Sequence, residues 1–167
     1  MTANLLDVQG NTVSVERVVK APAAAIFALL ADAAAHSRFD GSGTVEGTSD
    51  HAPGGEARPL TPGAKFGMSM RGRPESLYLP YRTTNTVVEF EPDRRIAWKT
   101  TIGPLGLIGG RIWRYELEPT AHGTLVRETW DVSADRQRLM LKVGATPKQA
   151  ADGMRATLKR LAALVEH

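Results

Sequence analysis

The stretch Thr146–Val165, close to the C-terminus, constrains this chain more than any other. Thr146 can cap a helix, and Pro147 suits a first turn, where its missing N–H is not needed. At about 100° per residue, Ala150, Met154, Leu158, Leu161, Leu164 and Val165 fall on one side. Lys148, Asp152, Arg155, Lys159 and Glu166 fall on the other. The pattern predicts a helix of about five turns with one apolar face. Nothing within the helix can bury that face, and most of what precedes it reads as β-strands. The helix is therefore expected to lie across a sheet. Whatever separates the two, packed core or ligand cavity, is where function is expected.

Val13, Val15 and Val19 alternate with polar residues and predict a first strand. Pro22 ends it and opens a helix through about Leu30, and Asp32 can cap a second short helix toward Arg38. Asp40-Gly41-Ser42-Gly43 reads as a turn and Thr44–Thr48 as a short strand. Ser49–Gly63, rich in Gly and Pro, reads as a mobile loop. Five strands are expected next: around Phe66–Met70, Tyr81–Phe90, Arg95–Ile102, Arg111–Glu118 and Leu125–Ser133. Asp135 can start a short helix that Gly144 stops. Hairpin-length connections make the sheet antiparallel. The expected organisation is one domain over residues 1–167, with residues 1–11 as an N-terminal tail.

Several function classes are unsupported. The chain has no cysteine, so thiolate chemistry and disulfides are out. Its four histidines share no metal-ligand spacing, so no metal and no cofactor are expected. Gly103-Pro-Leu-Gly106-Leu-Ile-Gly109 lacks phosphate-loop spacing and sits between strands. Gly41-Ser42-Gly43 is not a nucleophile elbow. The net charge of +3 comes from scattered basic residues, which argues against nucleic acid as a partner. No apolar run approaches the ~20 residues needed to span a membrane, and no signal peptide is apparent, so a cytoplasmic location is expected.

The sheet register can be anticipated from its tight turn. If that turn pairs Leu117 with Val126, steps of two pair Tyr115 with Glu128 and Trp113 with Trp130 on one face. Continued across the glycine-rich loop, with Ile102 opposite Arg111, the register sets Trp98 beside Tyr115 and Ile96 beside Leu117. A further turn sets Phe90 by Ile96 and Val88 by Trp98. The row Val88–Trp98–Tyr115–Glu128 then crosses the face that meets the long helix. Glu128 is its odd member: a carboxylate among Trp98, Tyr115 and Trp130 would be desolvated, which raises its pKa. Either Arg111, Arg82 or the Tyr115 hydroxyl satisfies it, or it is a polar anchor or acid/base group in a cavity.

Val19-Lys20-Ala21-Pro22-Ala23 leading to Phe27, then Asp32, His36 and Asp40-Gly41-Ser42-Gly43, resemble the START-like (SRPBCC) superfamily. So do Asn85-Thr86-Val87-Val88-Glu89-Phe90-Glu91-Pro92, Arg95-Ile96-Ala97-Trp98, Gly123-Thr124, Glu128-Thr129 and Gly153-Met154-Arg155. Within it the chain is similar to bacterial polyketide cyclase/dehydrase proteins. The resemblance implies an α+β helix-grip fold: a curved, antiparallel, seven-stranded sheet wrapped around a long C-terminal helix, with two short helices after the first strand. It also implies a small hydrophobic, aromatic or lipid-like ligand. Such folds host carriers or sensors, cyclases or dehydratases, and co-chaperone or protein-docking modules.

The cavity is expected between helix and sheet. Phe66, Met68, Met70 and Val88 would line it, with Trp98, Trp113, Tyr115, Glu128 and Trp130 across the sheet and Met154 and Leu158 from the helix. If the protein is an enzyme, Glu128 is the expected acid or base and Tyr115 positions a substrate oxygen. Pro104, Leu105, Leu107 and Ile108, apolar residues in a glycine-flanked loop, are expected to gate the entrance. His36 is expected to be structural, near a helix C-terminus where its charged form meets the dipole favourably.

Overall fold

The structure, a computed structural model, describes residues 4–49 and 58–167, with backbone alone for residues 4–9. Among these residues one antiparallel sheet carries eight strands. They are β1 Asn4–Gln9, β2 Thr12–Val19, β3 Val45–Thr48, β4 Lys65–Arg71, β5 Pro80–Glu91, β6 Arg95–Ile102, β7 Ile108–Thr120 and β8 Gly123–Asp131. Their order across the sheet is β1-β2-β8-β7-β6-β5-β4-β3. Helices α1 Ala23–Leu30 and α2 His36–Phe39 follow β2, and α3 Arg138–Leu141 precedes the long α4, Thr146–Val165. This is the helix-grip arrangement. The seven strands from β2 onward are the expected ones. The eighth, β1, is a correction to the reading of residues 1–11 as a tail: Asn4 pairs with Glu16 and Gln9 with Thr12.

The two faces of the sheet separate by side-chain parity. Inward lie Val13, Val15, Val19, Ile96, Leu117 and Val126, all buried. The outer face carries ion pairs instead: Arg114 to Glu89 at 2.7 Å and to Asp131 at 3.6 Å, and Arg95 to Glu116 at 3.0 Å. Helix α4 closes the concave side with Met154, Leu158 and Leu161, each at most 1% exposed. Burying a side chain of that size contributes about 1.5–3 kcal/mol. Thr146 does not cap α4: Ala145 holds that position and no side chain caps the end. The turn after α2 sits tightly on the helix. Gly41 N donates to Thr157 Oγ1 at 2.9 Å, and a Cβ on Gly41 would stand 2.3 Å from the Thr157 nitrogen.

Asp32 caps the short 3-10 turn Ala33–Ala35 that leads into α2, as expected, accepting from Ala34 N at 3.0 Å. It also accepts from Arg58 N at 2.7 Å, and Leu60 N donates to the Ala31 carbonyl at 2.6 Å. The C-terminal part of Ser49–Gly63 is therefore fixed against α1, with Leu60 buried, rather than mobile. The middle of that segment lies outside the described residues.

Two bulges modify the expected register. Tyr115 pairs with Glu128 and Trp113 with Trp130, as anticipated. Between β6 and β7, Ile102 pairs with Ile108 rather than Arg111, and Trp98 therefore faces Trp113. The strand begins earlier than expected and an irregularity at Thr100–Thr101 takes up the difference. From Thr100 to Arg95 the shift is two residues, so every side chain there keeps its face. In β5 the bulge is odd: Trp98 pairs with Val87 and Ala97 with Glu89, leaving Val88 unpaired. Val88 consequently points out, 47% exposed, and Val87 takes the inward position.

Candidate functional site

Between α4 and the concave sheet lies a cavity of about 530 Å³. Its sheet wall is built in rows fixed by strand pairing. At the closed end Tyr115 stands opposite Glu128. One step outward come Trp98, Trp113 and Trp130 in adjacent strands. The next row is Phe66, Asn85, Thr100 and Arg111, and beyond it lie Met68, Thr83 and Ile102. All of these side chains line the cavity, with Ala150, Met154 and Thr157 of α4 opposite and Arg73, Glu75, Ser76 and Tyr81 toward the mouth.

The closed end is chemically unusual. Glu128 is 2% exposed. The Tyr115 hydroxyl donates to its Oε1 at 2.7 Å, while Oε2 has no hydrogen-bond partner. Neither expected cation reaches it. Arg111 pairs with the buried Asp135 at 3.1 Å, and Arg82, next to inward Thr83 in the strand, is exposed. Burial pushes the Glu128 pKa up to about 8; the Tyr115 hydrogen bond opposes the rise and the Asp40 charge adds to it. The Tyr115 hydroxyl is itself raised well above its ordinary value, by burial first and then by Glu128. At neutral pH Glu128 is therefore mostly a neutral acid whose Oε2–H is free to donate.

His36 also lines the cavity. Its ring stacks on Trp98 at 4.7 Å between centroids, with Phe66 edge-on at 5.5 Å, and Nε2–H donates to the Leu30 carbonyl at 2.8 Å. Burial lowers its pKa, so it is neutral. It opens α2 with its ring turned inward, and the expected stabilisation of a charged ring by the helix dipole is not its role. It orders the indole of Trp98. Toward the mouth, Thr100 Oγ1 donates to Asn85 Oδ1 at 2.7 Å, and Asn85 Nδ2 donates to Thr83 Oγ1 at 3.3 Å.

Of the residues expected at the cavity, Phe66, Met68, Met70, Trp98, Trp113, Tyr115, Glu128, Trp130 and Met154 line it. Val88 does not, because of the bulge, and Leu158 lies wholly buried in the core behind. Pro104, Leu105, Leu107 and Ile108 do not line it either; Leu105 is 92% exposed, while Ile102 and Gly109 on either side of them border the cavity. Sequence reasoning missed His36 as a wall residue and the polar group Thr83, Asn85, Thr100 and Arg111. Alternation with Val87 would have marked Thr83 and Asn85 as inward.

Among the described residues no helix is long and apolar enough to cross a membrane. The chain is 33% identical over 168 residues to the uncharacterised protein Rv0088 of Mycobacterium tuberculosis strain H37Rv, covering 96% of this chain and 67% of that protein. In fold it is similar to the crystal structure of CV1439 from Chromobacterium violaceum, with a TM-score of 0.70 at 22% identity over 94% of this chain and 98% of that one. It is also similar to DynU16, a protein of the dynemicin biosynthetic locus, with a TM-score of 0.62 at 17% identity over 93% of this chain and 47% of that one. At these identities the two structures speak for the fold alone. The family model described as polyketide cyclase/dehydrase and lipid transport matches residues 11–166, and the chain belongs to that family.

Proposed function

We propose that the protein binds a small hydrophobic molecule, aromatic or lipid-like, in the cavity between α4 and the sheet. Family and fold support a ligand-binding or cyclase role. The observation that carries the finer reading is the composition of the cavity wall. About 530 Å³ suits a drug-sized molecule, and all three tryptophans of the chain face it. Glu128 ends the space with one unpartnered oxygen, so the ligand favoured is a flat, apolar body with an acceptor oxygen at its buried end. A deep, aromatic-walled cavity of this kind supports a small-molecule role over a protein-docking module.

A second reading, cyclase or dehydratase, is favoured by the same carboxyl. A group with a pKa of about 8 can both give and take a proton near neutrality. Glu128 would protonate a substrate oxygen, with the Tyr115 hydroxyl holding the carboxyl in place.

The test uses intrinsic fluorescence, because every indole lies at the cavity. Titration with a hydroxylated anthraquinone should quench emission along a saturable one-to-one curve. Unchanged emission with that probe and with a long-chain fatty acid, together with no retained molecule in native mass spectrometry, would sink the binding reading. Incubation with a reactive poly-β-ketone decides between the two functions: loss of water catalysed by the protein favours the enzyme, stoichiometric retention the carrier.

A further inference from the structure

Large apolar side chains are exposed at one end of this molecule and almost nowhere else. The loop between β4 and β5 carries Leu77, Tyr78 and Leu79, 81%, 58% and 63% exposed, with the less exposed Tyr81 at the start of β5. The loop between β6 and β7 carries Leu105, Leu107 and Ile108. The segment containing α3 carries Leu139, Met140 and Val143 at 75%, 73% and 64%. Among the described residues the sole other exposed large apolar side chain is Val88.

Strand pairing brings the three segments to the same edge. Thr83 pairs with Ile102, which sets the first two loops level, and Ile112 pairs with Asp131, which sets the third beside the second. Arg136 N donates to the Gly109 carbonyl at 3.0 Å, and Gly109 N donates to Gln137 Oε1 at 2.8 Å, tying them together. The same edge holds the cavity mouth, since Arg73, Tyr81, Ile102, Gly109 and Gln149 all border the cavity. Leu77, Tyr78 and Leu105 occupy left-handed backbone, at φ 55°, 56° and 62°. L-residues with large side chains rarely accept that conformation, and here it coincides with outward display.

Charge accompanies the apolar tips. These segments carry Arg73, Arg136, Arg138 and Lys142, all exposed, against one exposed carboxylate, Glu75. Among the described residues none of the four cations is in an ion pair with a carboxylate. Apolar tips interleaved with cations that no carboxylate neutralises match the interface of an anionic bilayer, where side chains enter the acyl boundary and cations meet headgroups. We propose that this collar docks the protein on anionic lipid surfaces, with the cavity mouth facing the bilayer. The ligand would then pass between membrane and cavity without crossing bulk water.

Co-sedimentation with vesicles tests this. Vesicles of phosphatidylcholine with 30 mol% phosphatidylglycerol should bind the protein, pure phosphatidylcholine vesicles at least several-fold less, and 0.5 M NaCl should weaken binding. The triple variant Leu105→Ser, Leu139→Ser, Met140→Ser removes exposed side chains only, so its melting temperature and anthraquinone quenching should match the wild type. Its affinity for the mixed vesicles should fall at least tenfold. Arg136→Glu with Arg138→Glu should abolish the preference for anionic lipid. Docking is wrong if the wild type ignores the mixed vesicles or the triple variant binds them equally well. It is also wrong if light scattering shows a dimer that the triple variant dissociates, which would make the collar a self-association surface. Quenching by the anthraquinone is read separately in solution, so loss of docking and loss of ligand binding are distinguishable.

Discussion

Replacing Glu128 with Gln gives the sharpest measurement of the cavity's chemistry. Gln is nearly isosteric with the neutral acid: its carbonyl oxygen can keep the Tyr115 hydrogen bond of 2.7 Å, and its amide presents a donor where Oε2–H stands. The variant differs in having no proton to lose. Glu128 titrates at about 8 in the folded protein against an ordinary 4.5. Between those values the unfolded chain has released the proton while the folded one still holds it, so stability falls as pH rises. The loss is on the order of 1.4 kcal/mol per pH unit, about 5 kcal/mol in all, with roughly 3 kcal/mol gone by pH 7. Glu128→Gln should therefore match the wild type near pH 5. At pH 7 it should exceed it by about 3 kcal/mol, or roughly 6–12 °C in melting temperature for a chain of this size. Urea denaturation of both proteins at intervals from pH 5 to 8.5 reads the difference directly, and effects of other titrating groups cancel in it. Parallel stability curves across that range would show that the carboxyl is charged or solvated when folded. The neutral-donor picture of the closed end would then fail.

Two further outcomes follow from local geometry. Neutral His36 works in the opposite direction: its pKa is lowered by burial, so the stability it supports is full above its ordinary 6.5 and lost as pH falls toward the lowered value. His36→Phe should flatten the acid limb of the stability curve, and an unchanged acid limb would mean the ring is not held neutral. Gly41→Ala should cost about 1–3 kcal/mol, because its Cβ would meet α4 backbone at 2.3 Å; Gly153→Ala, whose Cβ would sit an ordinary 3.6 Å from Ser42, should be neutral or gain up to about 1 kcal/mol. Thermal melts of the two variants check the contrast, and equal stabilities would refute the close approach.

The sequence carried the element order because its two periodicities are clean: Val13, Val15 and Val19 step by two, and Met154, Leu158 and Leu161 step by helical turns. The Tyr115–Glu128 pairing was legible because a tight turn at Ala121-His122 leaves little freedom in register. Farther from that turn legibility decayed. The β6–β7 error was harmless because it was even; the β5 error was not, since Val88 and Val87 are chemically alike and nothing in the residues says which is the bulged one. The polar wall residues were overlooked because inward positions were sought among apolar side chains. Asn85 is tolerated inside because Thr83, Thr100 and the Phe66 carbonyl satisfy it, a match between three strands that pattern reading does not see.

The bulge at Val88 acts as an indexing joint within one strand. On its inner side Phe90 packs edge-on to Phe27, at 5.3 Å between centroids, and is held by the core. On its outer side Thr83 and Asn85 face the cavity and Val87 is buried in the core. Deleting one residue at the joint would remove the bulge and restore plain alternation: Val87 would run directly into Glu89, Phe90 would stay in the core, and Thr83 and Asn85 would keep facing inward. A single codon lost there would thus be absorbed, leaving both the amide-and-hydroxyl wall and the hydrophobic core as they are. The bulge is the place in this strand where a residue can be removed without altering what the cavity presents to its ligand.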